Sequence, residues 1–500
     1  MARTFVFPRP RPRGLLGRRL EGDEQLVLVT GFTGGLVAAW AVGGTLARIA
    51  VFTLIAGCCA WGTLAPYRGR TYLKWYEINR THRRLLRDGS LLYRSRAPEA
   101  GRYASGRPAA VEMPPGIPRD LQWITARTAF GEITILLQPH ERMFTAAIEV
   151  EAMRDFGSLD SDDKEALIRA YEYLLKATAD NGGRIRRLQW ITRIIPTDPN
   201  THARDAAARR DPNAPAWLEQ SYAELIRQVA VTAEDRRLVL ALGIPYTSEL
   251  VAEARRYRTL HEGYAVTLGK EIEAFIRNLA RGHLRHVRNL DEGALASYLH
   301  HAYDPRHWID DTTGMDRVTA WPAELDARPA DHMTSRSWEA EDGAAWHSRS
   351  AWIKEWPLLP AGVNFLAPLL LYVQDVIVSV AVTMDLVPSE QAITEAMADA
   401  TNELGQADKR AGRIEDPREQ KAQQASLATM REIANGAAGI RLAGWLTVTS
   451  PSGEVLRRDA DTLRHAATRS GLRLEWCDRE HHRAFVNTLP FAGGLLPEGR

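Results

Sequence analysis

Two uncharged apolar runs stand near the N-terminus, Leu26 to Ala47 and Ile49 to Tyr67, interrupted only by Arg48. A bilayer core takes roughly 20 helical residues per crossing, so the pattern predicts a helical hairpin of two short spans. The turn is expected around Gly43, Gly44 and Arg48. Six arginines (Arg3, Arg9, Arg11, Arg13, Arg18, Arg19) precede the first run, and Arg68, Arg70, Lys74, Arg80, Arg83, Arg84 and Arg87 follow the second. Positive charge is retained on the cytoplasmic side, which places both flanks there and Arg48 at the outer interface. A cleaved signal peptide fits poorly, because its apolar region is typically about 7–15 residues. A hairpin buried in a soluble core would seldom carry dense arginine on both flanks. A re-entrant hairpin that never crosses stays open, since the turn is so short.

The next stretch, YRGRTYLKWYEINRTHRRLLRDGSLLYRSR, reads as a basic helix on the membrane surface, with Tyr72, Trp75, Tyr76 and Leu86 on its interfacial side. Aromatics favour the headgroup zone and arginines favour anionic lipid. A solvated helix that binds nothing is the plainer reading. Residues 97–118, rich in Gly, Pro, Ala and Ser, read as a linker.

Beyond the linker the period changes. GEITILLQ and FTAAIEVEAM predict two paired strands joined at Pro139-His140-Glu141. SLDSDDKEALIRAYEYLLKATADNGG predicts a helix, capped by Asp160 or Ser161 and ended by Gly182-Gly183, and RIRRLQWITRIIP returns as a strand. A helix is expected over 216–230, a strand at RRLVLALGI, and one long charged helix from about Ser248 to Leu279. Periodicity then fades between 303 and 360, where Trp308, Trp321, Trp338, Trp346, Trp352 and Trp356 occur among Asp, Arg and Gly. This reads as an irregular, packed insertion, with an exposed partner surface as the alternative. LLLYVQDVIVSVAVTMDLVP predicts a strand, followed by a charged helix of about 45 residues after Pro388-Ser389. AGIRLAGWLTVTS, VLRRDADTLRHAATRSG and LRLEWCD predict strand, helix and strand.

The resulting fold class is α+β: an N-terminal transmembrane helical hairpin followed by a cytosolic mixed α/β domain with long helices. The segments are a basic cytosolic tail (1–25), the two-span hairpin (26–66), and a basic juxtamembrane helix with linker (67–118). A first α+β unit (119–300), the Trp-rich insertion (301–372) and a second α+β unit (373–500) complete the chain.

Charge sharpens this division. Residues 1–110 hold 18 Arg/Lys against 6 Asp/Glu, and the other 390 residues hold 46 against 56, so +12 stands against −10. An acidic main domain disfavours direct nucleic-acid binding, which needs many accessible cations. Three cysteines, Cys58, Cys59 and Cys477, supply no disulfide framework and no CxxC metal pair.

Chemistry is harder to find. A phosphate-cradling loop needs GxxxxGK followed by Ser or Thr. GYAVTLGKEIE, with Gly263, Gly269 and Lys270, is one residue too long and carries Glu271 where the hydroxyl belongs. His300-His301 with Asp304 and His307, and Glu480-His481-His482, lack the i, i+4 spacing that turns two imidazoles toward one ion, and read as surface histidines. Glu475, Asp478 and Glu480 read as surface carboxylates, and no GxSxG serine elbow occurs. No catalytic, cofactor-binding or metal residue is nominated, and no cofactor is expected.

The hairpin followed by this soluble domain resembles a pair from conjugative type IV secretion systems, in which a small two-span membrane protein works beside, or is fused to, a large ATPase with a non-catalytic α+β N-terminal half. The resemblance rests on MFTAAIEVEAMRDFGSLDSDDKEALIRAYEYLLKATADNGGRIRRLQWITRIIP and GIRLAGWLTVTSPSGEVLRRDADTLRHAATRSGLRLEWCDREHHRAFVNTLPF. It covers about residues 20–80, 120–245 and 375–495, and is also similar to proteins of actinobacterial conjugative elements. The chain stops at Arg500, where the motor would begin, so no catalytic residue of the family has a counterpart. The resemblance implies a non-enzymatic, membrane-anchored scaffold of a DNA or protein translocation machine at the cytoplasmic (inner) membrane. Its expected partners are membrane lipids through residues 26–87, a separate P-loop ATPase and other secretion subunits, in an oligomeric complex. A type VII secretion membrane subunit and a membrane-bound hydrolase using the histidines are the alternatives.

Overall fold

The computed structural model describes residues 4–5, 22–64, 66–67, 70–95, 113–154, 159–180, 182–196, 214–232, 234–337, 344–357, 361–371, 373, 375–388, 390–394, 397 and 439–494. They form two compact units, Met1–Pro8 with Leu92–Leu495, and Arg9–Leu91 with Leu496–Arg500. The first strand, β1 (Thr4–Phe5), belongs to the larger unit.

In the smaller unit, α1 (Gly22–Ala41) and α2 (Thr45–Leu64) are joined by a turn in which Gly44 takes a φ of +91°. The two helices run antiparallel, with Gly31 facing Cys59 and Gly35 facing Phe52 and Ile55. Gly31, Gly35 and Ala39 fall every fourth residue on the buried side of α1. A Cβ on Gly31 would stand 2.5 Å from Cys59 Sγ, so only glycine permits this approach. Phe32 and Phe52 meet edge-on at 5.2 Å, and Arg48 donates from Nε to the Val42 carbonyl at 2.8 Å. By length and composition α2 can cross a membrane, while the uncharged part of α1, Leu26–Ala41, is shorter.

A short ladder of β2 (Pro66–Tyr67) and β3 (Arg70–Thr71) leads into α3 (Tyr72–Arg87), whose first turn is capped by the Thr71 hydroxyl. Its buried side is Trp75, Ile78 and His82. Trp75 therefore leaves the interfacial set expected from the sequence, while Tyr72, Tyr76 and Leu86 are exposed. Spacing of i, i+3 and i+7 selects the buried side, and the arginines occupy the rest.

The larger unit continues with β4 (Leu92–Arg94), β5 (Gln122–Thr128), β6 (Gly131–Gln138), β7 (Met143–Ala152), α4 (Ser161–Asp180) and β8 (Arg187–Pro196). Next come α5 (Ala216–Thr232), β9 (Glu234–Pro245), α6 (Ser248–Ala254), α7 (Leu260–Asn278), β10 (Leu284–Asn289) and α8 (Glu292–Tyr303). Then follow β11 (Glu324–Asp326), β12 (Met333–Arg336), β13 (Trp346–Glu355), β14 (Ala361–Gly362), α9 (Ala367–Leu370) and β15 (Ile377–Val387). The last elements are β16 (Gly439–Ser450), α10 (Gly453–Arg469), β17 (Arg473–Trp476) and α11 (His481–Val486). One mixed α/β architecture results, built on a 13-stranded antiparallel sheet in the order β4-β11-β12-β13-β16-β15-β8-β9-β7-β6-β5, with β10 on β7 and β17 on β13. Separately, β1 pairs antiparallel with β14, Thr4 opposite Gly362 and Phe5 opposite Ala361.

Side chains alternate across a strand, so each strand feeds both faces. One face is apolar: Ile133, Phe144, Ile148, Leu188, Leu240 and Leu242 pack against α4, α6 and α7. Further along the same face, Val378, Val380, Leu446 and Val448 pack against Leu456, Leu463 and Ala467 of α10. The intervening positions are buried too, and mix polar side chains, among them Thr145, Gln189, Ser379, Thr383 and Thr447, with apolar ones such as Ile191, Val239 and Ala381.

Two expectations are corrected. The single helix over 248–279 is broken, because Thr259 caps α7 by accepting from Glu262 N at 3.2 Å, and Gly263 lets α7 fold back against the Ala254 carbonyl. The 303–360 region is not wholly irregular. It supplies β11, β12 and the ten-residue β13, which pairs with both β12 and β16. Its inward positions include Ser348 and Ser350, whose hydroxyls meet Thr449 at 3.0 Å and Thr447 at 2.8 Å, so a hydrophobic alternation was never present to be read. Residues 390–394 are helical, and most of the helix expected after Ser389 lies outside the described residues, as do Trp338 and much of the 97–118 linker.

Candidate functional site

The polar face of the sheet is the densest concentration of chemistry in the larger unit. At its centre Arg193 of β8, 1% exposed, lies between Ser379 of β15 and Arg237 of β9 in register. Its guanidinium donates to Ser379 Oγ at 2.8 Å and to the His301 carbonyl of α8 at 3.0 Å. Burial without a carboxylate pulls it down to about 10.

Beside it runs an ion network across three strands. Glu149 of β7 accepts from Arg237 at 3.0 Å and from Arg288 of β10 at 2.6 Å, and both arginines reach Asp310. Burial works against the charge on Arg237, but Asp235, Glu149 and Asp310 outweigh it and raise its pKa. The network fastens the loop after α8 to the sheet.

The C-terminal segment is fastened in the same way. Phe491 O accepts from Gln138 at 2.9 Å and Thr145 at 3.1 Å. Ala492 N donates to Gln189 at 2.8 Å, Gly493 O accepts from Thr383 at 2.7 Å, and Gly494 O accepts from Trp445 at 2.8 Å. Residues 491–494 thus step across the polar face from β6 and β7 to β16.

The histidines expected on the surface are inside. His300, His301, His481 and His482 are all buried, on α8 and α11, which meet where Tyr303 contacts Phe485 at 4.8 Å. His300 Nδ1 donates to the Thr319 carbonyl at 2.9 Å and His301 Nδ1 to the His307 carbonyl at 2.6 Å, while His481 Nδ1 accepts from Ser350 N at 3.1 Å. Burial holds the His301 and His481 pKa values below the ordinary range. The rings of His300, His301 and His481 thus tie down backbone.

Ser297 and His307 stand 3.1 Å apart, a pair the sequence reading missed. The Ser297 hydroxyl donates to the Ile309 carbonyl at 2.9 Å, and His307 Nε2 faces the Asp311 carbonyl at 3.1 Å. With a carbonyl facing it and the Ser297 hydroxyl turned to Ile309, that nitrogen is placed to donate, a geometry that does not favour a base toward Ser297.

The carboxylates are also more engaged than expected: Glu475 pairs with Lys354, and Asp478 lies between Arg349 and His481. Gly263, Gly269 and Lys270 lie within α7, with no loop to cradle phosphate. Among the described residues no group of three His, Cys, Asp or Glu side chains could hold a metal ion. A cavity of about 280 Å³ at the first turn of α10 is lined by Asp331, His332, Arg349 and Arg457, among others. Asp331 bonds His332 at 2.9 Å and Arg349 lies over the Trp476 ring at 4.5 Å, so much of its charge is already matched.

One signal could have exposed the polar face: polar residues at alternate positions inside apolar strands, such as Thr145 and Glu149, or Gln189 and Arg193. No protein-family model matches the chain, and no curated protein matches it in sequence.

In the smaller unit the outward surface of the helical pair is apolar. Val37, Trp40, Leu46, Leu54 and Trp61 are all exposed, and Trp40 and Leu46 reach 84% and 85%. An exposed apolar surface of this extent marks a contact with a membrane or another protein.

Proposed function

We propose that the chain is a membrane-anchored scaffold of a conjugative type IV secretion-like translocation machine, with α1 and α2 as a two-span hairpin and the sheet unit docking a separate ATPase in the cytosol. The pairing of β1 with β14 carries the topology. The chain before the hairpin and the chain after it belong to the same sheet unit, which supports a hairpin that returns to the side from which it left. A single crossing would separate Thr4 from Gly362 by a bilayer. Arg48, folded back on the Val42 carbonyl at the turn, then sits at the far interface, and the arginines of α3 at the near one.

The scaffold role draws its support from the polar face, whose hydrogen bonds and ion pairs hold loops and the C-terminal segment, and from the resemblance in sequence pattern. The hydrolase alternative has less behind it, because the rings of His300, His301 and His481 bond backbone groups. The test is to express the full chain in its native background, extract membranes with alkaline carbonate, and recover its partners by crosslinking. Retention in the carbonate pellet, with a P-loop ATPase among the crosslinked proteins, is the expected result. Release into the supernatant sinks the anchor, and ATP hydrolysis by the purified chain alone sinks the scaffold.

A further inference from the structure

Helix α3 has two unlike sides. Trp75, Ile78 and His82 are buried within the smaller unit, while Tyr72, Tyr76, Arg80, Arg83, Arg84 and Arg87 are exposed. With 3.6 residues per turn those six positions fall within one arc of about 120°, turned away from the buried three. The stripe is ordered along its length. Its tyrosines come first, and Tyr72 lies against Trp61 in the last turn of α2, ring centroids 5.3 Å apart. The arginines follow at i, i+3, i+4 and i+7 from Arg80. Of these four, only Arg84 makes an ion pair with a described residue, Asp88 at 3.8 Å, between exposed groups where such a pair contributes little.

We infer that this stripe is a docking surface for the headgroups of anionic phospholipid, along which α3 lies lengthwise. The inference rests on the hairpin reading above and adds the class of lipid that the near leaflet supplies. Continuity favours this occupant. The stripe starts beside Trp61, 62% exposed at the end of the outward apolar surface of α2, so it begins where the apolar core of a bilayer gives way to phosphate. The order of side chains follows the same depth, with aromatic rings at the boundary and guanidiniums beyond it. Charge is complementary too. Arg80, Arg83 and Arg87 keep their donors for an outside anion, and a guanidinium matches phosphate oxygens in pairs. Exposed Glu77 and Asp88 border the stripe on one side and leave its centre cationic. A nucleic acid would meet the same guanidiniums, but it gives no account of a tyrosine packed at the end of a span.

The test reconstitutes the full chain into phosphatidylcholine bilayers with a trace of spin-labelled lipid, either phosphatidylglycerol or phosphatidylcholine. Electron paramagnetic resonance then reads the motionally restricted fraction of each label. Phosphatidylglycerol should associate about threefold more strongly than phosphatidylcholine, and R80Q/R83Q/R84Q/R87Q should lose about half of that preference or more. R80K/R83K/R84K/R87K keeps the charge and should keep most of the preference, which separates lost charge from a lost fold. No restricted fraction for either lipid means that the hairpin is not embedded, and overturns the anchor together with this inference. Equal restricted fractions, or a preference unchanged in the glutamine variant, leave the anchor standing and overturn the stripe alone. Retention of an RNA oligonucleotide that the glutamine variant loses, without a lipid preference, assigns the stripe to nucleic acid and overturns it as well.

Discussion

The two faces of the 13-stranded sheet are built from the same strands and do different work. Phe144 and Thr145 are chain neighbours, both almost fully buried, yet one packs among Ile, Leu and Tyr and the other hydrogen-bonds a carbonyl of residue 491. The apolar face is non-directional: its contribution scales with area removed from water. The polar face is directional. Each hydrogen bond there adds a modest net free energy, but each group left without a partner costs more than the bond contributed. Cohesion therefore comes chiefly from the apolar face, and the course of loops and C-terminal segment is set by the polar groups of the other.

Truncating the apolar face should give the largest effect. Phe144→Ala is expected to cost about 3–5 kcal/mol, read as a lowered denaturation midpoint of the purified chain. Because α4, α6 and α7 all share that core, the loss should appear throughout the unit. Gln189→Leu probes the opposite face with nearly the same volume. It leaves the Asn487 carbonyl and Ala492 N–H without their side-chain partner, for a cost of about 1–3 kcal/mol. Amide exchange should accelerate at 487–494 more than in the apolar core. An equal cost for both variants, spread evenly over the unit, would break the distinction between the faces.

The mildest test is pH. His301 and His481 are buried and held below 6.5, so the folded protein keeps them neutral while the unfolded chain protonates them. Their stabilising contribution is complete above pH 6.5 and is lost as pH falls below it, by no more than about 1.4 kcal/mol per histidine over one pH unit. Asp304 and Asp478, held below 3.8, lose theirs only in stronger acid. A melting temperature that falls between pH 7 and 6, and recovers in His301→Gln, is the expected outcome.

How much of this was legible depended on which face a residue served. GEITILLQ, FTAAIEVEAM and RIRRLQWITRIIP announced strands through their apolar positions, and β6, β7 and β8 lie there. β5 and β13 went unread. In β13 the interior is partly serine and in β5 only Ile124 and Ala126 are buried, so neither carries enough apolar alternation. The charged stretch from Ser248 to Leu279 looked continuous although Thr259-Leu260-His261-Glu262 carries a local capping signature; only the close approach of Gly263 to Ala254 depends on how the two helices pack. The buried histidines were misread because adjacency in sequence says nothing about the loops whose carbonyls they bind. Arg193 was hidden for the same reason: its partners lie 186 and 108 positions away.

The clasp between β1 and β14 sets an order on biogenesis. Phe5 and Ala361 pair across 361 − 5 = 356 positions, so the clasp cannot close until most of the chain has been made. At roughly 5–20 residues per second, synthesis reaches β14 on the order of 20–70 s after β1. Throughout that interval Leu26 to Tyr67 is complete while the sheet is not. On the proposed function, the apolar hairpin would reach the membrane before the clasp could close, and the clasp would then record on which side the chain before it had stayed.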